Sequence, residues 1–239
     1  MYWVLAVLAI GFIILIHELG HFVAARRKNI PVATFSVGFG PRLFGFKRGE
    51  TDYRISAIPL GGYVLPKLKD IEDLHRIPVS RRIAFSLGGP MANVVFAAFL
   101  LSVFNGITSG ITPWNMLVLP WIQCGSLIIS MAVSLVTLFT DPGSVSGVIG
   151  MASQGGNLIS GGFANLLLFM IIINLNLALF NLIPIPVLDG GKILMAIMEK
   201  ISVKTRRTQI PITVGSLFIL LGLILFSTIS DLVRLFGIP

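Results

Sequence analysis

The chain has 239 residues, of which 55% are hydrophobic and 12% are charged, and its mean hydropathy is +0.92. About a quarter of the residues of a soluble domain are charged, so this composition excludes an ordinary soluble protein and indicates an integral membrane protein. The formal net charge is +8, yet 12 of the 18 Lys and Arg residues lie within residues 26–82 and five within residues 192–207. Basic loops between apolar runs are typical of the cytoplasmic side of a membrane, which favours the lipid bilayer over nucleic acid as their partner.

Four segments have the length and apolarity of a membrane span, which requires about 20 residues. They are residues 2–25, 83–104, 163–188 and 208–230. The sequence therefore predicts an α-helical integral membrane protein with about four transmembrane helices, which form a single domain over residues 1–239.

A fifth apolar run, residues 114–139, is long enough to span but is interrupted by Pro120, Gln123 and Gly125. If both basic stretches are cytoplasmic, an even number of crossings separates them, and residues 83–104 and 163–188 already supply two. Residues 105–162 contain no Lys or Arg, which fits the outer side. We therefore expect residues 114–139 to lie in the membrane interface or to re-enter from the outer face.

The loop of residues 32–64 differs from an ordinary solvated connection. Residues 51–58 alternate apolar and polar side chains, which is the period of a β-strand, and Lys47, Arg48 and Gly49 supply a turn before them. Four phenylalanines lie between residues 35 and 46. The pattern predicts a β-hairpin that dips into the membrane, where such backbone is tolerated if it is buried in protein or lines a cavity.

The first predicted span contains the sequence HELGH at residues 17–21, which has the HExxH pattern. On a helix, positions four residues apart share a face, so His17 and His21 converge on one metal ion, and Glu18 lies beside them to take a proton from water. Each ionisable residue in a span is costly unless it is paired, hydrated or bound to a metal. A zinc ion with its water explains all three residues together, and chance occurrence of the pattern is the alternative.

Catalytic zinc normally has three protein ligands, so a third must come from elsewhere in the chain. His75 lies in a charged loop and is expected to be a solvated surface residue, while Asp141 lies in the outer region. Asp189 follows a run without charge, and Pro184 and Pro186 prevent regular helix just before it. Asp189 is therefore the predicted third ligand, and a role as N-cap of a helix at residues 191–200 is the alternative.

Three asparagines, Asn174, Asn176 and Asn181, lie on the same apolar segment. Asparagines in a span often bond neighbouring helices. Asn181 precedes Asp189 by eight residues and is equally placed to direct its amide at a substrate carbonyl or oxyanion. Both interpretations remain open, and Asn176 is a candidate substrate contact.

Five motifs occur in the order HELGHF at residues 17–22, FSVGFGP at 35–41, IPLGGYV at 58–64, GGPMAN at 88–93 and NLIPIPVLDGG at 181–191. Together they resemble the site-2 protease family of intramembrane zinc metalloproteases, most closely the bacterial regulator-of-sigma-E type. The resemblance implies that His17, His21 and Asp189 bind one Zn²⁺, that Glu18 is the catalytic base, and that Asn181 assists near the substrate.

The same resemblance implies that the hairpin ending in Gly61, Gly62 and Tyr63 is a membrane-inserted edge that receives the substrate. Relatives of this type usually carry one or two PDZ domains after the second core span. Residues 105–162 are too short for one, because a compact domain of that kind needs roughly 80 to 100 residues. We therefore expect no PDZ domain within residues 1–239.

The sequence thus predicts a multi-pass protein of the bacterial inner membrane that hydrolyses peptide bonds within or near transmembrane segments. Single-span membrane proteins are the expected substrates, and the family suggests anti-sigma factors or remnant signal peptides. The alternatives are a metal transporter, since intramembrane His, Glu and Asp also mark ion pathways, and a non-proteolytic adaptor that binds membrane helices. The HExxH spacing without an inverted repeat disfavours the transporter, and the complete set of proposed ligands and base gives no support to the adaptor.

Overall fold

A computed structural model describes residues 2–138, 156, 158–202 and 205–236, which are mostly helical. In chain order the elements are α1 (Tyr2–Arg27), β1 (Val32–Arg48), β2 (Thr51–Pro66), α2 (Ile71–Arg76), α3 (Val79–Ser109), a π-helical turn (Trp114–Val118), α4 (Leu119–Leu138), α5 (Phe163–Leu182), α6 (Asp189–Ile201) and α7 (Arg206–Phe236).

The spans predicted at residues 2–25, 83–104 and 208–230 fall within α1, α3 and α7, so their helical structure is confirmed. The span predicted at residues 163–188 is wrong at its C-terminal end, because α5 ends at Leu182 and Ile183 is extended. The residue before a proline avoids the helical region, which accounts for the end of the helix just before Pro184.

Five helices of the described chain are long and apolar enough to cross a membrane, one more than predicted. The additional one covers Trp114–Ser134, which is long and apolar enough to cross, as its sequence already indicated; its location in the interface or as a re-entrant segment stays a prediction. Pro120 is the second residue of α4 and directly follows the π-helical turn of Trp114–Val118 in the same helical run. Gln123 is satisfied, since its Oε1 accepts a hydrogen bond from Asn105 Nδ2 on α3 at 2.9 Å.

Helices α1 and α3 pack in opposite directions through facing glycines. A Cβ on Gly20 would lie only 2.2 Å from the carbonyl oxygen of Gly88, so this close approach requires a residue without a side chain. Farther from the start of α3, Phe96 packs edge-on against Phe12 of α1. The end of α3 is therefore level with the start of α1.

The connection between α3 and α5 begins and ends at one end of the bundle. It leaves from the end of α3, and Gly156 lies against the indole of Trp3 at the start of α1. Phe169 of α5 packs against Ala6 and Ala9 of α1 nearby. Residues 139–155, which include Asp141 and the end of the predicted outer segment, lie outside the described residues.

The two basic stretches meet at the other end of the bundle. Arg82 at the start of α3 and Arg206 at the start of α7 both bind the carboxylate of Glu199. This arrangement agrees with the prediction that both stretches face the same side of the membrane.

The predicted hairpin is confirmed, with its turn at Gly49 and Glu50 and its second strand extending to Pro66. The antiparallel pairing is irregular, because Val37 lies opposite both Gly62 and Ile55. The first half of β1 therefore lies between the two halves of β2, and the end of β2 forms an edge with no further strand partner among the described residues.

Aromatic contacts hold the base of the hairpin against α1. The ring centroid of Phe22 lies 5.2 Å from that of Phe35 and 5.7 Å from that of Tyr53. By contrast, the apolar side chains of Leu43 and Phe44 near the turn are 70% and 68% exposed. An apolar tip exposed in this way suits contact with lipid better than contact with water.

Candidate metal centre

One turn of α1 and the first residue of α6 bring three metal-binding side chains together. His17 Nε2 and His21 Nε2 lie 3.2 Å and 3.1 Å from Asp189 Oδ2, and the two imidazole nitrogens are 3.1 Å apart. All three side chains are buried, with at most 7% of each exposed. The structure thus brings together the three residues that were predicted as metal ligands.

Hydrogen bonding fixes which atom of His21 is available to a ligand. Its Nδ1 lies 2.8 Å from the backbone carbonyl oxygen of Phe85, and a carbonyl only accepts, so Nδ1 carries the proton. In the neutral ring, Nε2 therefore presents a lone pair towards Asp189. Orientation of a metal-binding imidazole by a backbone carbonyl is common in metalloproteins.

Asn93 of α3 occupies the corresponding position behind His17. Its side chain is fully buried, and its Nδ2 lies 3.3 Å from His17 Nδ1, while its Oδ1 has no partner among the described residues. A half-turn of the amide places Oδ1 against Nδ1, which satisfies this oxygen and leaves the His17 Nε2 lone pair towards Asp189. The HExxH pattern predicts neither the packing of α3 against α1 nor this contact, so the sequence analysis did not identify Asn93 as a site residue.

The donor set fits a zinc ion. Two imidazole lone pairs and a carboxylate oxygen converge, and a cation among them satisfies all three acceptors. Their separations of 3.1–3.2 Å are close to the roughly 3.3–3.4 Å expected between two ligands of a tetrahedral zinc ion. Gly89 of α3 keeps this space clear, because a Cβ there would lie 2.5 Å from Nε2 of both histidines.

Asp189 owes its position to the turn that precedes α6. Leu188 occupies the N-cap position and Asp189 is the first helical residue, so the alternative role of Asp189 as N-cap is wrong. A Cβ on Gly190 would lie 2.2 Å from the carbonyl oxygen of Leu182, which makes a glycine necessary after the acid. The second carboxylate oxygen, Oδ1, accepts a hydrogen bond from Lys192 Nζ at 3.0 Å.

Glu18 lies on the same helical turn as the histidines and beside the hairpin. A Cβ on Gly62 would lie 3.0 Å from Glu18 Cγ, so the predicted base and the end of β2 are in direct proximity. Gly61 adopts a φ of +110°, and a Cβ there would overlap the ring of Phe39. Tyr63 stacks on the same ring, with 6.1 Å between the centroids. The roles of Gly61, Gly62 and Tyr63 in substrate binding stay predictions.

The asparagines of α5 have different surroundings. Asn181 Nδ2 donates to the carbonyl oxygen of Leu177, one turn earlier in its own helix, at 3.0 Å. Asn174 is fully buried and donates in the same way to Met170. Asn176 is half-buried. The roles of Asn176 and Asn181 towards a substrate stay predictions.

A second buried charge cluster was not foreseen. The Glu199 carboxylate binds Arg82 Nη2 at 2.5 Å, His75 Nδ1 at 3.0 Å and Arg206 Nη2 at 2.8 Å. The side chain of His75 is only 9% exposed, so the prediction of a solvated surface residue is wrong. Burial by itself raises the pKa of Glu199, but the hydrogen bonds from Arg82 and His75 outweigh it and hold that pKa below its ordinary value.

Comparison with known proteins places these observations in a family. The sequence profile of Peptidase family M50 matches residues 5–223. A protein of Clostridium acetobutylicum, provisionally named a zinc metalloprotease, is 42% identical over 113 residues, which cover 45% of this chain and 33% of that protein. A protein of Campylobacter jejuni with the same kind of name is 25% identical over 342 residues, which cover 97% of this chain and 93% of that protein.

The extent of these matches differs. Four relatives that are 38–43% identical align with only 44–45% of this chain, and the chain spans 20–33% of their length. The 342-residue alignment is longer than the chain itself, so more than 100 aligned positions of the Campylobacter protein have no counterpart here.

Proposed function

Because the chain belongs to peptidase family M50, we propose that it is an intramembrane zinc metalloprotease that hydrolyses peptide bonds within or near transmembrane segments of other membrane proteins. The observation that supports this most directly is the convergence of His17, His21 and Asp189 inside a bundle of apolar helices. Buried charged groups are retained in such surroundings when they are paired or bind a metal.

The chemistry requires a metal and a base. Zinc, when bound by His17, His21 and Asp189, supplies a Lewis acid that polarises a carbonyl and activates water. Glu18 lies on the same turn of α1, and its carboxylate takes a proton from the attacking water and returns it to the leaving amine. The hydrogen bonds of Phe85 and Asn93 hold the two imidazole rings in place during this transfer.

The end of β2 is proposed to hold the substrate. A transmembrane helix hides its amides in its own hydrogen bonds, so the segment to be cleaved must first become extended. The edge that contains Gly62 and Tyr63 has no further strand partner among the described residues, and Gly62 lies beside Glu18. Addition of the substrate as a strand to this edge would bring its backbone to the proposed base.

The proposal for the location and the substrates rests on the family and the topology. The five apolar helices and the family support a multi-pass integral membrane protein, and we assign it to the bacterial inner membrane. Single-span membrane proteins are the proposed substrates, with anti-sigma factors and remnant signal peptides as the candidate classes.

The test is reconstitution of the purified chain with a single-span model substrate, comparing wild type with Glu18→Gln. We expect cleavage to fall by about 10²- to 10⁴-fold, while both proteins retain one zinc ion, because Gln keeps the shape of the base but cannot accept the proton. Equal cleavage by both proteins would exclude Glu18 as the base. Zinc transport across the vesicle membrane without cleavage would favour the transporter, and zinc binding with neither activity would favour the adaptor.

A further inference from the structure

A cavity of about 340 Å³ opens at the end of the bundle where the two basic stretches meet. It lies between α3, α6 and α7, and its volume is within the range of about 300–1,000 Å³ that is usual for small-ligand sites. Most of its wall is apolar, and its charged or strongly polar lining residues are His75, Arg82, Lys192, Arg206 and Gln209.

The charges on the cavity wall favour an anion. Among the described residues no Asp or Glu lines the cavity, whereas Arg82, Lys192 and Arg206 do. Glu199 lies behind the wall and offsets only one of the two arginines that bind it. Lys192 pairs with Asp189 and Arg206 with Glu199, but their side chains are 53% and 41% exposed, so both also reach the mouth of the cavity.

Two buried donors on the wall have no acceptor. Arg82 Nε and Gln209 Nε2 are both inaccessible to solvent and make no hydrogen bond within the described part of the chain. A buried polar group without a partner is costly, and the side chain of Arg82 as a whole is only 10% exposed. An occupant that supplies acceptor oxygens would satisfy each donor once its side chain turns towards the cavity, because neither atom faces the open space as it stands.

The apolar remainder of the wall requires that the occupant also carries hydrocarbon. Phe85 and Met195 line the interior, and Ile210 and Val214 continue the lining onto the exposed apolar surface of α7. We propose that the cavity binds the headgroup and glycerol ester of an anionic phospholipid, whose acyl chains leave along α7. The phosphate oxygens accept from Arg82 and Gln209 after these side chains turn towards the cavity, and the accessible cations at the mouth balance its charge.

This site shares its wall with the metal centre but is separate from it. Phe85 lines the cavity and bonds His21 through its carbonyl, and Lys192 lines it and bonds Asp189. The proposal concerns lipid binding alone, so its test does not require peptide hydrolysis.

The full chain is placed in nanodiscs with equal amounts of phosphatidylglycerol and phosphatidylcholine, and the lipids retained after gentle solubilisation are counted by native mass spectrometry. We expect wild type to retain one phosphatidylglycerol. Gln209→Leu removes one donor without touching Glu199 and should lower this retention by about tenfold, as expected for loss of a hydrogen bond to a charged group. Arg207→Gln is the matched control, because Arg207 is an exposed cation beside Gln209 that does not line the cavity.

Retention of phosphatidylglycerol by Arg207→Gln but not by Gln209→Leu would support the site, provided that both variants keep the thermal stability of wild type in neutral detergent. Equal retention of the two lipids by wild type would overturn the proposal. An equal loss of phosphatidylglycerol in both variants would also overturn it, because the lipid would then be held by nonspecific electrostatic attraction. Displacement of the lipid by millimolar inorganic phosphate would show an anion site without lipid specificity. If an apolar peptide with a free C-terminal carboxylate occupied the cavity in place of the lipid, and the same peptide with a C-terminal amide did not, the cavity would instead be assigned to a peptide carboxylate.

Discussion

Asp189 and Glu199 are two buried acids only ten residues apart on α6, and they have opposite surroundings. Asp189 faces two imidazole nitrogens that present lone pairs, and its only cationic partner among the described residues is the half-exposed Lys192. Glu199 is surrounded by donors from α2, α3 and α7, which saturate its carboxylate. The first acid and its two imidazole neighbours form a set that a metal ion would join, whereas the carboxylate of the second acid is bound by side chains of the protein itself.

From this difference we infer that Asp189 belongs to a site for chemistry and Glu199 to a site that stabilises the fold. A group of acceptors in an apolar environment is costly unless a metal joins it, so it is retained for what the metal does. A saturated carboxylate that links four elements instead fixes how those elements pack. Each variant below should therefore affect either zinc or stability according to which acid it touches.

The largest effect is expected from removal of the metal. At a free zinc concentration of about 1,000 times Kd, zinc should stabilise wild type by about 4.1 kcal/mol, so a strong chelator should lower Tm by the corresponding amount. Asp189→Asn loses a ligand, so the chelator should leave its Tm unchanged, whereas Glu199→Gln should remain as chelator-sensitive as wild type. Thermal unfolding with and without chelator measures this, and an equal response of all three proteins would remove the distinction between the two acids.

A smaller loss is expected when the charge of Glu199 is removed. Glu199→Gln leaves Arg82 buried without a counter-ion and should destabilise the protein by about 3 kcal/mol, with zinc content unchanged. Arg206 contributes less, because its side chain is 41% exposed and water replaces its partner. Glu50→Gln is the matched control, since Glu50 and Lys67 form an exposed pair on the hairpin. Similar effects of both variants on Tm would show that the Glu199 cluster has no special structural role.

Asn93→Ala should weaken zinc binding without removing a ligand. Loss of a partner behind a metal-binding histidine typically costs 10- to 100-fold in metal affinity, or about 1.4–2.8 kcal/mol. Asn174→Ala is the control, because Asn174 is also fully buried and also has an Oδ1 without a partner in the described chain, yet it bonds only its own helix. Competition for zinc with a chromophoric chelator measures both affinities. Equal losses would indicate general loosening of the bundle rather than positioning of His17.

The comparison also shows which features the sequence could predict. The spacing within HELGH brings His17 and His21 together on any helix, and Asp189 stands out as an acid after a long uncharged run. Asn93 and Glu199 could not be identified in this way, because their partners lie 76 and 117 residues away and depend on how α1, α3 and α6 pack. The surroundings of Gln123 in α4 could not be predicted for a related reason, since its partner Asn105 lies on α3.

The smallest effect is expected from mild acid. The pKa of Glu199 is held below its ordinary value of about 4.5 in the folded protein, so its contribution to stability is fully present above that pH. As the pH falls below about 4.5, the unfolded chain binds a proton that the folded chain still excludes, and the contribution is progressively lost. We therefore expect the Tm difference between wild type and Glu199→Gln, both stripped of zinc, to shrink as the pH falls below about 4.5. A gap that stayed constant through acid would mean that the arginines do not hold the carboxylate ionised.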